Sequence, residues 1–161
     1  MIQLKRVLFP TDFSSASESA REYALTLAER FDAELHLLHV IHDWVERMPE
    51  FGMGLSVPAW AEQGPARRRD LEESAIRQLP ALTPSGWSEQ HRVTIAVKEG
   101  EPFVEIVKYA REHEIDLIVI GTHGRGAVAH ALLGSVAERV VRKAPCPVLT
   151  VRPSSHAFVM P

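Results

Sequence analysis

Residues 116–126 read DLIVIGTHGRG. One acid precedes a continuous apolar run, and glycines follow it. Such a run suits a central strand of a parallel sheet, covered on both faces. The glycines at its carboxyl end let backbone approach a ligand closely. Open parallel sheets hold ligands beyond the carboxyl ends of their strands, where the strand order reverses. This one stretch therefore points to a layer architecture and to the edge where a ligand would sit.

The pattern extends in both directions. Upstream, Gly100-Glu101-Pro102 opens a helix to about His113, with Pro102 near its first position. Residues 91–97 alternate and read as a strand. Val7-Leu8-Phe9 is a short apolar run that Pro10 is expected to stop. Ala20, Ala24, Leu27, Ala28 and Phe31 share one helical face, which predicts a helix over 15–31. Ser15 and Glu18 have capping-box spacing at its start. ELHLLHVI, 34–41, is a second strand, and a second helix is expected over 65–82. Downstream, Ser135 to Lys143 reads as a helix, again with capping-box spacing between Ser135 and Glu138. PVLTVR, 147–152, is the fifth strand. Strict alternation of strand and helix predicts an α/β fold: one open, five-stranded parallel sheet with helices on both faces.

Residues 42–64 hold no period; Pro49, Gly52, Gly54, Pro58 and Gly64 are interspersed with Met48, Phe51, Met53 and Trp60. A loop this long in a compact domain is usually functional or mobile. Residues 1–153 are expected to form one domain, and 154–161 a frayed tail.

Composition narrows the function. The 161 residues are 45% hydrophobic and 24% charged, ordinary values for a globular chain with a real core. A net charge of −3 lacks the basic excess of a generic nucleic-acid binder. The single cysteine, Cys146, excludes an intramolecular disulfide and a cysteine-based zinc finger. No signal peptide is apparent at Met1-Ile2-Gln3-Leu4-Lys5-Arg6, and no membrane-length apolar window occurs. The expectation is a cytoplasmic protein without nucleic-acid or membrane partners.

Two loops carry the candidate chemistry. After Gly121-Thr122-His123-Gly124 come nine residues, then Gly134-Ser135 at a helix start. A helix N-terminus offers free N–H groups and a positive dipole end to an anion. The Ser135 hydroxyl adds a donor and Arg125 a cation, completing a phosphate cradle. The competing reading makes Ser135 only an N-cap. Asp12, after the first strand, can likewise be an N-cap, or a carboxylate that accepts from a ribose hydroxyl or orients a metal. Gly124-Arg125-Gly126-Ala127-Val128-Ala129 matches a relaxed dinucleotide pattern. It follows the wrong strand, however, and lacks the acid expected at the next strand's end. His36 and His42 share one strand face and His39 the other, so the three read as ordinary strand histidines rather than one metal site. Cys146 has no nucleophile signature around it, and no acid–base pair is evident; both absences favour binding over fast catalysis.

VLFPTDFSSAS, LLHVI, DLIVIGTHGRG and GSVAERVVRKAPCPVLTVRP together resemble the universal stress protein family. Gly121, Gly124, Gly134 and Ser135 meet its G-x2-G-x9-G-[ST] motif, which resembles the ATP-binding branch. The resemblance implies strand order 3-2-1-4-5, as in adenine nucleotide alpha hydrolase-like folds, and a homodimer paired through the fifth strand, residues 147–152. It implies a regulator or sensor in stress response that binds ATP, with Mg2+ or Mn2+, and hydrolyses it slowly at most. By position, Pro10 and Thr11 would shape the adenine and ribose wall and Asp12 would hold the ribose or phosphate side. Val40 would meet the adenine with its backbone. Gly121, His123, Gly124 and Arg125 would line the ribose and phosphate path, and Gly134, Ser135 and Val136 would bind the phosphates. Two other classes remain open: a nucleotide-independent dimeric interaction module, and a true ATPase or adenylyl transferase.

Overall fold

The computed structural model describes residues 3–42, 64–122 and 133–152. In chain order the elements are β1 (Arg6–Thr11), α1 (Ser15–Phe31), β2 (Glu34–Ile41) and α2 (Gly64–Gln78), which runs into a 3-10 turn (Leu79–Leu82). Then come α3 (Trp87–Gln90), β3 (Val93–Glu99), α4 (Pro102–Glu112), β4 (Leu117–Gly121), α5 (Ser135–Lys143) and β5 (Val148–Val151). The five strands form one sheet in the order β3-β2-β1-β4-β5, and every pairing is parallel.

Alternation along the strands builds two cores. Val7, Phe9, Leu35, Leu37 and Val119 face α1, whose contact stripe is Ala20, Ala24 and Ala28. Leu8, Leu38, Ile118 and Ile120 face the other way, against Ile106, Tyr109 and Ala110 of α4 and Ala137 and Val140 of α5. Leu8, Leu35, Leu38 and Ile118 are fully buried; each contributes about 1.5–3 kcal/mol by leaving water.

Several local expectations shift. Pro10 does not end β1, which continues to Thr11 in register with His39 of β2. On the other side, pairing with β4 covers only Val7↔Leu117 and Leu8↔Ile118. Pro10 has no N–H to give a ladder, so it is tolerated where one neighbour has already parted. The cap of α1 is Ser14, not Ser15, and the cap of α5 is Gly134, not Ser135. The expected helix over 65–82 divides into α2 and the 3-10 turn, in which Pro80 lies. The third strand begins two residues late, because the short α3 occupies 87–90 and His91 is its C-cap. Most of the expected 42–64 loop and the 154–161 tail lie outside the described residues.

Candidate functional site

Pairing between β1 and β4 stops at Leu8↔Ile118, short of the carboxyl ends, which marks the carboxyl edge between these two strands as the place for a ligand crevice. β2 runs leftward from it and β5 closes the right, so this is the point of strand-order reversal. Ligands in open α/β sheets bind at such a point.

The left wall is the turn after β1. Thr11 is buried; its Oγ1 lies 3.0 Å from Ser17 Oγ and accepts from the Phe13 N–H at 3.0 Å. Asp12 Oδ1 accepts from the Ser14 N–H at 3.0 Å and from the Ser14 hydroxyl at 2.6 Å. Ser14 Oγ in turn accepts from the Ser17 N–H at 3.3 Å, capping α1. Asp12 is therefore not the cap; it orients the cap. Phe13 carries a positive φ of 61°, a conformation costing on the order of 1–3 kcal/mol for a non-glycine residue. His39 supports it from β2: its Nδ1–H donates to the Thr11 carbonyl at 2.8 Å, and its ring lies 4.6 Å from the Phe13 ring. A strained turn held from four sides keeps Asp12 at a fixed place on the edge.

The right wall is the end of β4 and the start of α5. The Thr122 N–H donates to the Val151 carbonyl at 2.9 Å, and the Thr122 carbonyl accepts from the Gly134 N–H at 2.6 Å. Gly134 has extended dihedrals, φ −67° and ψ 155°, and makes no side-chain cap bond. Ser135, exposed, is the first residue of α5, and Val136, partly buried, follows it. Within α5, the Glu138 N–H finds the Gly134 carbonyl. The first N–H groups of a helix have no intrahelical acceptors, so this end presents donors to the crevice.

Val40 is near the end of β2. Its ladder partner is Lys98 of β3, while pairing with β1 ends one residue earlier, at Thr11↔His39. Val40 therefore stands just past the last β1–β2 pair, at the end of that ladder. The described residues bring Pro10, Thr11, Asp12, Val40, Gly121, Gly134, Ser135 and Val136 to one edge. His123, Gly124 and Arg125 lie outside the described residues.

Two residues were missed in the sequence. Thr122 is buried and ties α5 to the sheet; His39 holds the Thr11 carbonyl. Strand alternation placed His39 on the α1 face, and that signal could have found it. His36, His39 and His42 have separate partners: His36 Nδ1 meets Tyr109 Oη at 2.9 Å, His39 meets Thr11, and His42 Nδ1 meets the Gly100 carbonyl at 3.1 Å. Among the described residues, no group of three or more His, Cys, Asp or Glu side chains could hold a metal ion. Burial pushes the Cys146 thiol up, away from thiolate chemistry. Among the described residues, no helix is long and apolar enough to cross a membrane.

A doubly wound parallel sheet with a crevice at its switch point, walled by a carboxylate turn and a glycine-capped helix start, defines the class. Within it, the chain belongs to the universal stress protein family, whose model matches residues 3–152. Universal stress protein MJ0531 of Methanocaldococcus jannaschii is 34% identical over 148 residues, covering 92% of this chain and 82% of the relative. MJ0577 of the same organism is 30% identical over 156 residues, covering 94% and 96%. The solved structure of MJ0577 superposes with a TM-score of 0.78 at 29% identity over 93% of this chain and 96% of its own. A universal stress protein solved in complex with cAMP shares the fold at 24% identity and a TM-score of 0.61, covering 95% and 100%.

Proposed function

We propose that this chain is a nucleotide-dependent regulator or sensor of stress response that binds ATP in the crevice between β1 and β4. The observation that carries the reading is the pairing of the Asp12 turn with the Gly134-Ser135 helix start across one switch point. The spacing Gly121, Gly124, Gly134, Ser135 supports it, as does a cAMP complex on the same fold. In this reading Pro10 and Thr11 wall the adenine and ribose, and the Val40 backbone meets the base. Asp12 accepts from the ribose or faces the phosphates. The path of the phosphates runs by Gly121, His123, Gly124 and Arg125 to Gly134, Ser135 and Val136.

The residues fit a divalent cation carried by the nucleotide better than a resident metal. Asp12 supplies one hard carboxylate at the edge, and no protein cage surrounds it among the described residues. Mg2+ commonly binds through one or two carboxylates plus substrate phosphates. Such an ion would supply charge neutralisation. The chain itself would supply N–H donors at α5 and the Asp12 carboxylate, with no described general base to drive rapid hydrolysis.

The reading includes a cytoplasmic homodimer. β5 is an edge strand with Val148, Leu149 and Val151 on it. An edge with unpaired backbone groups is a template for another strand, and symmetric pairing with a second copy would satisfy it. Light scattering that gave a monomer at tens of micromolar protein would remove the dimer while leaving the nucleotide site intact. For the site, the test is thermal melting with ATP and Mg2+ against GTP. At a hundredfold excess over Kd, ATP would stabilise the fold by about 2.7 kcal/mol. No shift at millimolar ATP in ligand-free protein would reject the site and leave the interaction-module reading.

A further inference from the structure

The valley between α4 and α5 is lined by none of the residues assigned to the nucleotide above and does not depend on that reading. It forms a groove of about 410 Å³ lined by Phe103, Val104, Val107, Lys108, Arg111 and Lys143, with Glu112 at its rim. α4 buries Ile106, Tyr109 and Ala110 against the sheet. Phe103 and Val107 sit beside that stripe and are only partly covered, while Val104 is 42% exposed. Phe103 packs partly against the core and lies under the Arg139 guanidinium, 5.0 Å from its ring centroid, so the row is Val104 and Val107 with the remaining edge of Phe103.

The charges are segregated along this row. Phe103, Val104 and Val107 occupy the first half of α4, and Lys108 and Arg111 the second. Lys143 is the last residue of α5, which packs beside α4 and follows the sheet in the same direction. Among the described residues, Lys108, Arg111 and Lys143 are in no ion pair, whereas Arg139 pairs with Glu101 and Arg142 with Glu138. Cations in a last helical turn complement the helix dipole. That accounts for Arg111 and Lys143 singly, but not for an exposed apolar row running into them. Three cations against one carboxylate make this a basic spot on a chain of net charge −3.

We propose that this groove docks an acidic amphipathic helix from a partner protein. Apolar anchors one turn apart would seat on Phe103, Val104 and Val107, and carboxylates a turn further along would meet Lys108, Arg111 and Lys143. Helix-in-groove recognition reads anchors at i, i+4 and i+7. The groove is lined by seven residues, where a stable interface uses about 20–30 a side, so the engagement is transient, with Kd of order 10–100 μM.

The test is fluorescence polarisation with the full chain and a labelled helical peptide carrying leucines at i, i+4 and i+7 and glutamates one turn beyond. A twin peptide has lysines in place of the glutamates. The glutamate peptide should bind saturably and about tenfold more tightly than its twin. Val104→Glu should abolish binding, and Lys108→Glu with Arg111→Glu should reverse the preference. Both sites are exposed, and an unchanged melting temperature verifies folding. Equal binding of the twins, no saturation by about 1 mM, or binding that survives Val104→Glu would each overturn the proposal. Sedimentation of the Val104→Glu variant provides a separate arm. A change from dimer to monomer would make the groove an interface between copies, and the proposal would fall.

Discussion

The Gly134 N–H donates to the Thr122 carbonyl at 2.6 Å, joining the first residue before α5 to the residue just past β4. The link joins two residues that stand twelve positions apart in the sequence. It also aims the start of α5 from the end of the central sheet. The geometry at the cap, φ −67° and ψ 155°, is one that any residue adopts, so glycine there is not required by backbone strain.

That makes Gly134→Asp a discriminating variant. Aspartate is among the best N-caps, so the ligand-free protein should melt at or slightly above the wild-type temperature. A carboxylate at the cap would repel phosphate and compete for the same N–H donors. The expected result is an unchanged fold with the ATP-induced shift lost. An ATP shift that persists in this variant would place the nucleotide elsewhere.

Ser14→Ala tests the opposite wall. Ser14 Oγ both caps α1 and donates to Asp12 Oδ1. Removing a serine cap costs about 1 kcal/mol, a fall of a few degrees in Tm for a domain of this size. Freed of its anchor, Asp12 should also hold ATP less well, by several-fold in Kd measured by calorimetry. A Tm loss with unchanged Kd would show that the turn serves stability alone.

The architecture was legible because its signals were periodic. DLIVI suited a doubly covered strand, and the alternation of elements around it pointed to a parallel sheet. β2 and α5 have the predicted bounds. The caps were not legible. Ser14, Ser15 and Ser17 stand together, so spacing to Glu18 selected the wrong serine; the hydrogen bond from Ser14 to Asp12 decides the frame. Glu18 pairs with Arg21 rather than closing a capping box. Pro10 looked like a terminator because sequence does not show that β4 has already left its side. The four-residue α3 is too short to carry a period. The candidate site was legible as glycines and a carboxylate at strand ends; strand alternation gave the face of His39 but not its bond to the Thr11 carbonyl, and the bonds of Thr122 are tertiary ones that no local pattern announces.

Gly100→Ala probes the support beneath Val40. Gly100 has φ +143°, and its N–H donates to the Ile41 carbonyl while its own carbonyl meets His42. An added Cβ would come within 3.2 Å of Glu105 Cγ. The side chain of Glu105 can shift, but the dihedral cannot, so the strain term dominates. The variant should lose about 1–3 kcal/mol in denaturant unfolding. A loss below a few tenths would mean that the chain relaxes φ at this turn without breaking the bonds at Ile41 and His42.

The His36 cluster predicts a pH dependence on the opposite edge of the sheet. His36 is 3% exposed, bonded at Nδ1 to Tyr109 Oη, with Nε2 3.5 Å from Glu34 Oε1 and making no hydrogen bond. His113 stacks on Tyr109 at 3.8 Å and adds a second imidazole nearby. Burial lowers the pKa of His36; the carboxylate of Glu34 works against this, while His113 and Arg6 reinforce it. Burial also pushes Tyr109 up to about 12, so the phenol stays protonated as a partner. The folded state thus holds His36 neutral where the unfolded chain, with an ordinary histidine pKa of about 6.5, takes up a proton. Stability is complete above that value and falls as pH drops through it toward the lower folded value. Glu34 also has a lowered pKa, chiefly through the Thr94 hydroxyl, so its contribution is lost only in the more acidic range below the ordinary glutamate value. Urea midpoints measured between pH 7.5 and 5 should therefore decline below about 6.5, and His36→Gln should flatten that decline at the cost of lower stability at pH 7.5. A wild-type protein equally stable at both ends would show that Glu34 takes up the charge of a protonated His36 in full, and that the buried imidazole imposes no acid limit on the fold.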